Sequence, residues 1–270
     1  MESYCSIVQP THGIITNCGK AHLEGFGGLD GIRKGKGELY DFLNKHAGTV
    51  FVNGDDMILM DMIHERNLQN VISYGKNESN NFSSVVLNEH PFLKIQFEST
   101  EINSHLYGNY NFSNIMCAIA IGKYFNVKNE QIKQAIEQYN PTNARSQLIQ
   151  KATYSLILDA YNANPSSMQH ALENFAHSNA AKKIVILGDM FELGKYAAEE
   201  HQKITDLALQ LAFDTIVLVG EEFGKTTGNN LIKFKNSSEA GTWFREQFFK
   251  DAEILLKGSR GMKMEKVVEA

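Results

Sequence analysis

Cysteine is scarce in this 270-residue chain: Cys5, Cys18 and Cys117 are far apart and form no C-x-x-C pair. An odd, scattered set excludes a disulfide framework and offers no zinc motif, so a cytoplasmic protein is the expectation. Long apolar runs are missing too. No stretch approaches the ~18 residues that span a bilayer, and the N-terminus lacks a basic segment followed by an apolar one. There is no run of Lys and Arg, and the net charge is -5, which argues against a general nucleic-acid binder. No strand-like run is followed by G-x-G-x-x-G, which makes a dinucleotide oxidoreductase unlikely on its face.

What is present is a globular composition, 43% hydrophobic and 21% charged, with length for one or two domains. From about residue 148, β-rich runs alternate with amphipathic ones: "YSLILDAY", "PSSMQHALENFA", "KKIVILGD", "AAEEHQKITDLALQLA", "DTIVLVG", "EAGTWFREQFF", "AEILLKGS" and "KMEKVVEA". The alternation predicts a parallel sheet wrapped by helices, a Rossmann-like doubly wound α/β domain. Ligands of such sheets collect at the carboxyl ends of the strands, here residues 159–164, 188–192, 220 and 257–260. In the first half, "GIITNCG" reads as a strand, residues 29–43 as a helix, "TVFVNGDD" as strand and turn, and "DMILMDMIHER" as a helix. "SSVVLNEHPFLKIQFE" reads as two antiparallel strands. Two further helices follow, the second with Asn129 as N-cap. "NPTNARSQ" breaks the pattern and is the expected linker, giving domains 1–140 and 148–270 joined by 141–147.

"VLVGEEFGKTTG", residues 217–228, looks like a strand entering a phosphate loop. Its two glycines are separated by three residues, not the usual four, and two of those are Glu221 and Glu222, which would repel polyphosphate. A strand, a turn and a solvated helix start is the better reading. In "ITNCGKAHLEGFGG", His22 follows a strand-like run and precedes glycines, which suits a metal ligand, although a lone His is more often a satisfied surface or core residue. Lys36 lies on the side of its helix that bears Ile32, Leu39 and Leu43. It is either drawn inward as a reactive amine or snorkels to solvent.

"GIITNCGKAHLEGFGGLDGIRKGKGELYDFL" closely resembles the central domain of the Mur ligases of peptidoglycan synthesis. "GNYNFSNIMCAIA", "LDAYNANPSSM", "LGDMFELGKYAAEEH" and "LLKGSRGMKME" resemble the same family in the same order. "YNANPSSM" and "LGDMFELG" are similar to the branch that adds D-Ala-D-Ala to UDP-N-acetylmuramoyl-tripeptide, and argue against the folyl-polyglutamate branch. The resemblance implies an α/β fold with part of a central ATPase domain, and an amide ligase using ATP and Mg²⁺ through an acyl phosphate. It implies His22 as a Mg²⁺ ligand, and Lys36 as a carbamylated lysine whose anionic oxygens also serve metal. Asn111 and Asn114 match the adenine-side asparagines, with Tyr110 where the family has His. Arg145 matches an arginine that reaches ATP phosphates. Asp159 joins the nucleotide site, and Tyr161, Asn162 and Asn164 the incoming dipeptide, although "NANP" also suits a plain turn. Asp159 and Asn162 are expected to face ligand at a strand end, so that Asp159→Ala lowers turnover and leaves stability nearly unchanged.

The family's G-T-x-G-K-T loop, its uridine-binding N-terminal domain and its upstream Mg²⁺-binding Glu do not occur in these residues. The chain is therefore expected to be a fragment or a truncated form, inactive alone, with the missing half on another chain as one expected arrangement. The competing reading is a non-catalytic binding or interaction module that keeps part of the ligase fold.

Overall fold

The computed structural model describes residues 1–142 and 144–269; Asn143, within the expected linker, and Ala270 lie outside the described residues. The chain divides into two units, one made of residues 1–20, 25–105 and 109–140, the other of 21–24, 106–108 and 141–270. Among the described residues no helix is long and apolar enough to cross a membrane.

Along the chain, the first unit's elements are α1 (Glu2–Val8), β1 (His12–Ile14), α2 (Leu23–Phe26), α3 (Leu29–Lys45), β2 (Thr49–Asn53), α4 (Met57–Glu65), β3 (Val71–Gly75), β4 (Phe82–Ser83), β5 (Val85–Asn88), β6 (Phe92–Phe97), β7 (Thr100–Tyr107), α5 (Phe112–Tyr124) and α6 (Asn129–Gln138). α2 and β7 each run across the division between units. Strands β1 to β4 form a parallel sheet in that order, and β5 to β7 a second, three-stranded sheet in which β5 and β6 run antiparallel. α3 buries Ile32, Tyr40 and Leu43 at helical spacing. α4 starts where Asp56 Oδ1 accepts from the backbone N–H groups of Ile58 and Leu59, a cap worth about 1 kcal/mol.

β1 is shorter than "GIITNCG", because only His12, Gly13 and Ile14 find ladder partners, on Thr49 to Phe51. Beyond them Asn17 satisfies loop groups instead: its carbonyl accepts from the Lys36 amine, and its side chain from the Gly19 N–H. The N-cap of α6 is Lys128, not Asn129. The Asn129 amide is engaged elsewhere, donating to Glu98 Oε2 and accepting from Lys123 Nζ.

The second unit contains β8 (Gln147–Gln150), β9 (Tyr154–Asp159), α7 (Pro165–Ala176), β10 (Lys182–Gly188), α8 (Ala197–Gln210), β11 (Thr215–Val219), α9 (Glu221–Lys225), β12 (Leu231–Phe234), α10 (Ser237–Glu246) and β13 (Ala252–Lys257). One six-stranded sheet has the order β12-β11-β10-β13-β9-β8, parallel except for β8. The last strand thus enters between β10 and β9. All six β13 residues are buried, which fits a central parallel strand covered on both faces. β8 occupies sequence expected as linker and domain start, and "KMEKVVEA" forms a 3-10 turn over Met264–Val267. That turn buries Met264 and Val267 against the core of Leu156, Ile186, Val217, Ile254 and Leu256.

Candidate active site

The parallel register of β9 and β13 sets Asp159 directly beside Lys257. Both are buried. Lys257 Nζ donates to Asp159 Oδ2 at 2.5 Å and to the Asn162 carbonyl at 3.3 Å, while the Ser146 N–H donates to Asp159 Oδ1 at 3.1 Å. The Asp159 carboxylate therefore ties two strand ends and the segment before β8 into one polar knot. The expectation of a ligand-facing carboxylate that the fold can lose without penalty thus meets a carboxylate buried against Lys257. A buried ion pair is costly to break one-sidedly, because the surviving charge has no water to turn to.

Above this knot lies Tyr161, 40% exposed. The Arg145 guanidinium sits 3.7 Å from its ring centroid and that of Arg260 5.8 Å away, both within cation–π reach. Arg145 is flanked by Ala144 at φ 53° and Ser146 at φ 48°, two side-chain-bearing residues in the left-handed region. Such conformations cost about 1–2 kcal/mol each. Two hydrogen bonds hold them, Tyr161 N–H to the Ala144 carbonyl and Ser146 N–H to Asp159. Asn162 Oδ1 accepts from the Ala163 N–H. Asn164 caps α7: its Oδ1 accepts from Ser167 N–H, Ser167 Oγ accepts from Asn164 N–H, and Pro165 opens the helix.

The neighbouring strand ends are built from "LGDMFELG". The buried Asp189 carboxylate accepts from the backbone N–H groups of Glu222 and Phe223 at the start of α9, at 3.0 and 2.9 Å. Gly220, at φ 127°, is needed there, since a Cβ would meet that carboxylate at 2.2–2.5 Å. The first turn after "VLVG" thus already holds an anion of the protein itself, which fits the strand, turn and short helix observed. Further along, Glu192 at φ 61° meets His22 at φ 58°, with His22 Nδ1 against Glu192 Oε2.

Lys36 belongs to the first unit and lies midway between Ile32 and Tyr40 on α3, half-buried, its amine donating to the Asn17 carbonyl at 2.8 Å. Burial pushes the Cys18 thiol up, and the Lys36 charge partly offsets that push. Asn111 and Asn114 meet at the start of α5, where Asn114 Nδ2 donates to Asn111 Oδ1 at 2.9 Å, and Tyr110 lies in the preceding 3-10 turn. Among the described residues no group of three or more His, Cys, Asp and Glu side chains could hold a metal ion. Magnesium prefers six oxygen ligands; the contacts of His22 and of the unmodified Lys36 amine do not supply that set. These residues alone do not fit a Mg²⁺ cage, and no chemical step is assigned to one.

Family models of the Mur ligase middle domain and of the Mur ligase glutamate ligase domain match residues 2–122 and 144–260 respectively. The chain belongs to the Mur ligase family. It is 28% identical over 276 residues to the UDP-N-acetylmuramoyl-tripeptide--D-alanyl-D-alanine ligase of Treponema pallidum, covering 99% of this chain and 59% of that protein. With the same-named ligase of Buchnera aphidicola it is 30% identical over 283 residues, covering 98% and 60%. A crystal structure of MurF from Acinetobacter baumannii superposes with a TM-score of 0.83 at 28% identity, over 99% of this chain and 60% of that one. MurF from Thermotoga maritima, solved with ADP, shares the fold with a TM-score of 0.84 at 20% identity, over 99% and 63%. The Mur ligase chain described here thus spans about 60% of the length of these relatives.

Of the residues singled out in the sequence, the fold brings Arg145, Asp159, Tyr161 and Asn162 together at one end of the second unit's sheet. Lys257, Ser146 and Arg260 complete that end and had no assigned role. Their signal was in plain view: in "AEILLKGSR" the apolar run Ile254–Leu256 is followed at once by two cations, Lys257 and Arg260, at a strand end. Nothing in the sequence pairs Lys257 with Asp159, 98 residues away.

Proposed function

We propose that this chain is the nucleotide- and dipeptide-handling part of an ATP-dependent amide ligase that adds D-Ala-D-Ala to UDP-N-acetylmuramoyl-tripeptide. The reading is carried by the collinear match of 97–99% of the chain to relatives bearing that name. In the proposed reaction ATP phosphorylates the tripeptide's terminal carboxylate, giving an acyl phosphate and ADP. The dipeptide amine attacks the acyl carbon, loses a proton, and the C–O bond to phosphate breaks. Charge gathers on oxygen throughout, so cationic donors serve better than a covalent nucleophile.

In this reading Arg145 steers phosphate and Tyr161 and Asn162 border the dipeptide. Asn111 and Asn114 face the adenine, while Asp159 works indirectly by holding the Arg145 segment. The 270 residues hold no G-x-x-x-x-G-K-[ST] loop, since Gly220 and Gly224 are one residue too close and enclose Glu221 and Glu222. Positioning and charge neutralisation are most of phosphoryl-transfer catalysis, so turnover is proposed to need such a loop from polypeptide outside these residues. The domain division at residues 141–147 and a cytoplasmic location belong to the same proposal.

The test is Mg²⁺-dependent phosphate release and amide formation with both substrates, using the chain alone and the chain mixed with the loop-bearing half of a relative. The expected result is binding without turnover alone, and ligation in the mixture. Turnover of about 1 per second or more by the chain alone, free of host ligase, would remove the need for an external loop. Binding of neither ATP nor D-Ala-D-Ala would overturn the ligase reading. Binding without turnover even in the mixture would favour the non-catalytic module.

A further inference from the structure

We infer that Arg260 is a binding residue that acts with Arg145 as a two-armed guanidinium site, around Tyr161, for one anionic oxygen group, either a carboxylate or a phosphate. Both guanidiniums converge on a single exposed ring, and among the described residues neither has an ion pair with a carboxylate. The Asp159 carboxylate, which accepts from the Ser146 N–H next to Arg145, is already neutralised by Lys257. Two like charges gathered around one aromatic ring without a counterion leave a local excess of positive charge, which an anion relieves.

Each arm is fixed from beneath. Arg145 is held between the left-handed Ala144 and Ser146 by the bonds to Tyr161 and Asp159. Arg260 opens a 3-10 turn on the buried Ser259, whose N–H donates to the Asp189 carbonyl and whose Oγ accepts from the Phe191 N–H. Gly261 then passes so close to the Phe191 ring that a Cβ would lie 2.5 Å from it. Strain and close packing under two exposed cations are the signs of a site organised before its ligand arrives. The planar guanidinium fork matches carboxylate and phosphate, and a stacked Arg keeps that fork oriented where Lys would not.

The ligand identity rests on the proposed ligase function; the site itself does not. Calorimetric titration of the 270-residue chain would use MgADP, D-Ala-D-Ala, and the same dipeptide with its carboxyl group amidated. Arg260→Ala is expected to weaken one of the first two by roughly 10- to 100-fold, with Arg260→Lys restoring little. Loss confined to MgADP identifies the group as phosphate. Loss confined to D-Ala-D-Ala, with the amidated form already weak on the parent chain, identifies it as carboxylate. Because Arg260 is exposed, its replacement should leave the unfolding midpoint unchanged.

Should the parent chain bind neither ligand, the ligase reading fails, and phenylglyoxal labelling with inorganic pyrophosphate tests the site by itself. Protection of both Arg145 and Arg260 supports the site. Absence of protection at Arg260, or Arg260→Ala binding both ligands like the parent, overturns it.

Discussion

Replacing Asp159 by Ala isolates a charge that the second unit has buried. Lys257 keeps only the Asn162 carbonyl, at 3.3 Å, and the Ser146 N–H loses its acceptor while its residue stays at φ 48°. Breaking a buried pair from one side costs about 3–5 kcal/mol, and an orphaned buried N–H adds about 1–3 kcal/mol. For a unit of this size, each kcal/mol lowers the midpoint by about 4 °C, so the combined loss of about 4–8 kcal/mol corresponds to a drop of about 16–32 °C. Trp243, the single Trp, packs against the second unit's core and reports its unfolding by fluorescence. Urea titrations of the parent, Asp159→Ala and the double variant Asp159→Leu with Lys257→Met separate the causes. Removing both charges should recover most of the loss, since an apolar pair of similar volume needs no counterion. A single variant within about 1 kcal/mol of the parent, a loss typical of ordinary substitutions, would refute the account of Asp159 as a structural charge and restore a purely ligand-facing role.

Asn164→Ala removes the cap of α7 and should cost about 1 kcal/mol, a shift of a few degrees in the same fluorescence melt; no shift would show that the cap is dispensable. Burial raises the Cys18 and Cys117 thiols and the Tyr40 and Tyr74 hydroxyls above their ordinary values of 9.0 and 10.0. The folded first unit then keeps protons that the unfolded chain releases, so its stability should be full below about pH 8.5 and fall as pH rises through 9 to 11. Circular dichroism melts across that range check the sign, and constant stability would contradict it.

The periodic parts of the fold were legible because their signals are local. α3 announces itself by apolar residues at helical spacing, β9, β10, β11 and β13 by short continuous apolar runs, and α7 by Asn164 and Pro165 at its start. Glu221 and Glu222, with a spacing one residue short, argue from the sequence alone against residues 217–228 as a phosphate loop. The short β1, the unexpected β8 and the cap of α6 were not legible, since each depends on which distant group claims a backbone or amide partner. The same holds more strongly for the site. Local chemistry drew attention to Arg145, Asp159, Tyr161 and the cations after β13. That Asp159 is a buried counterion, and that Arg145 and Arg260 both come within cation–π reach of one ring, follows from the last strand of the chain entering between β10 and β9. Sheet order is a collective result of long-range strand pairing, and it decides which charges must neutralise one another and which are left to meet a ligand.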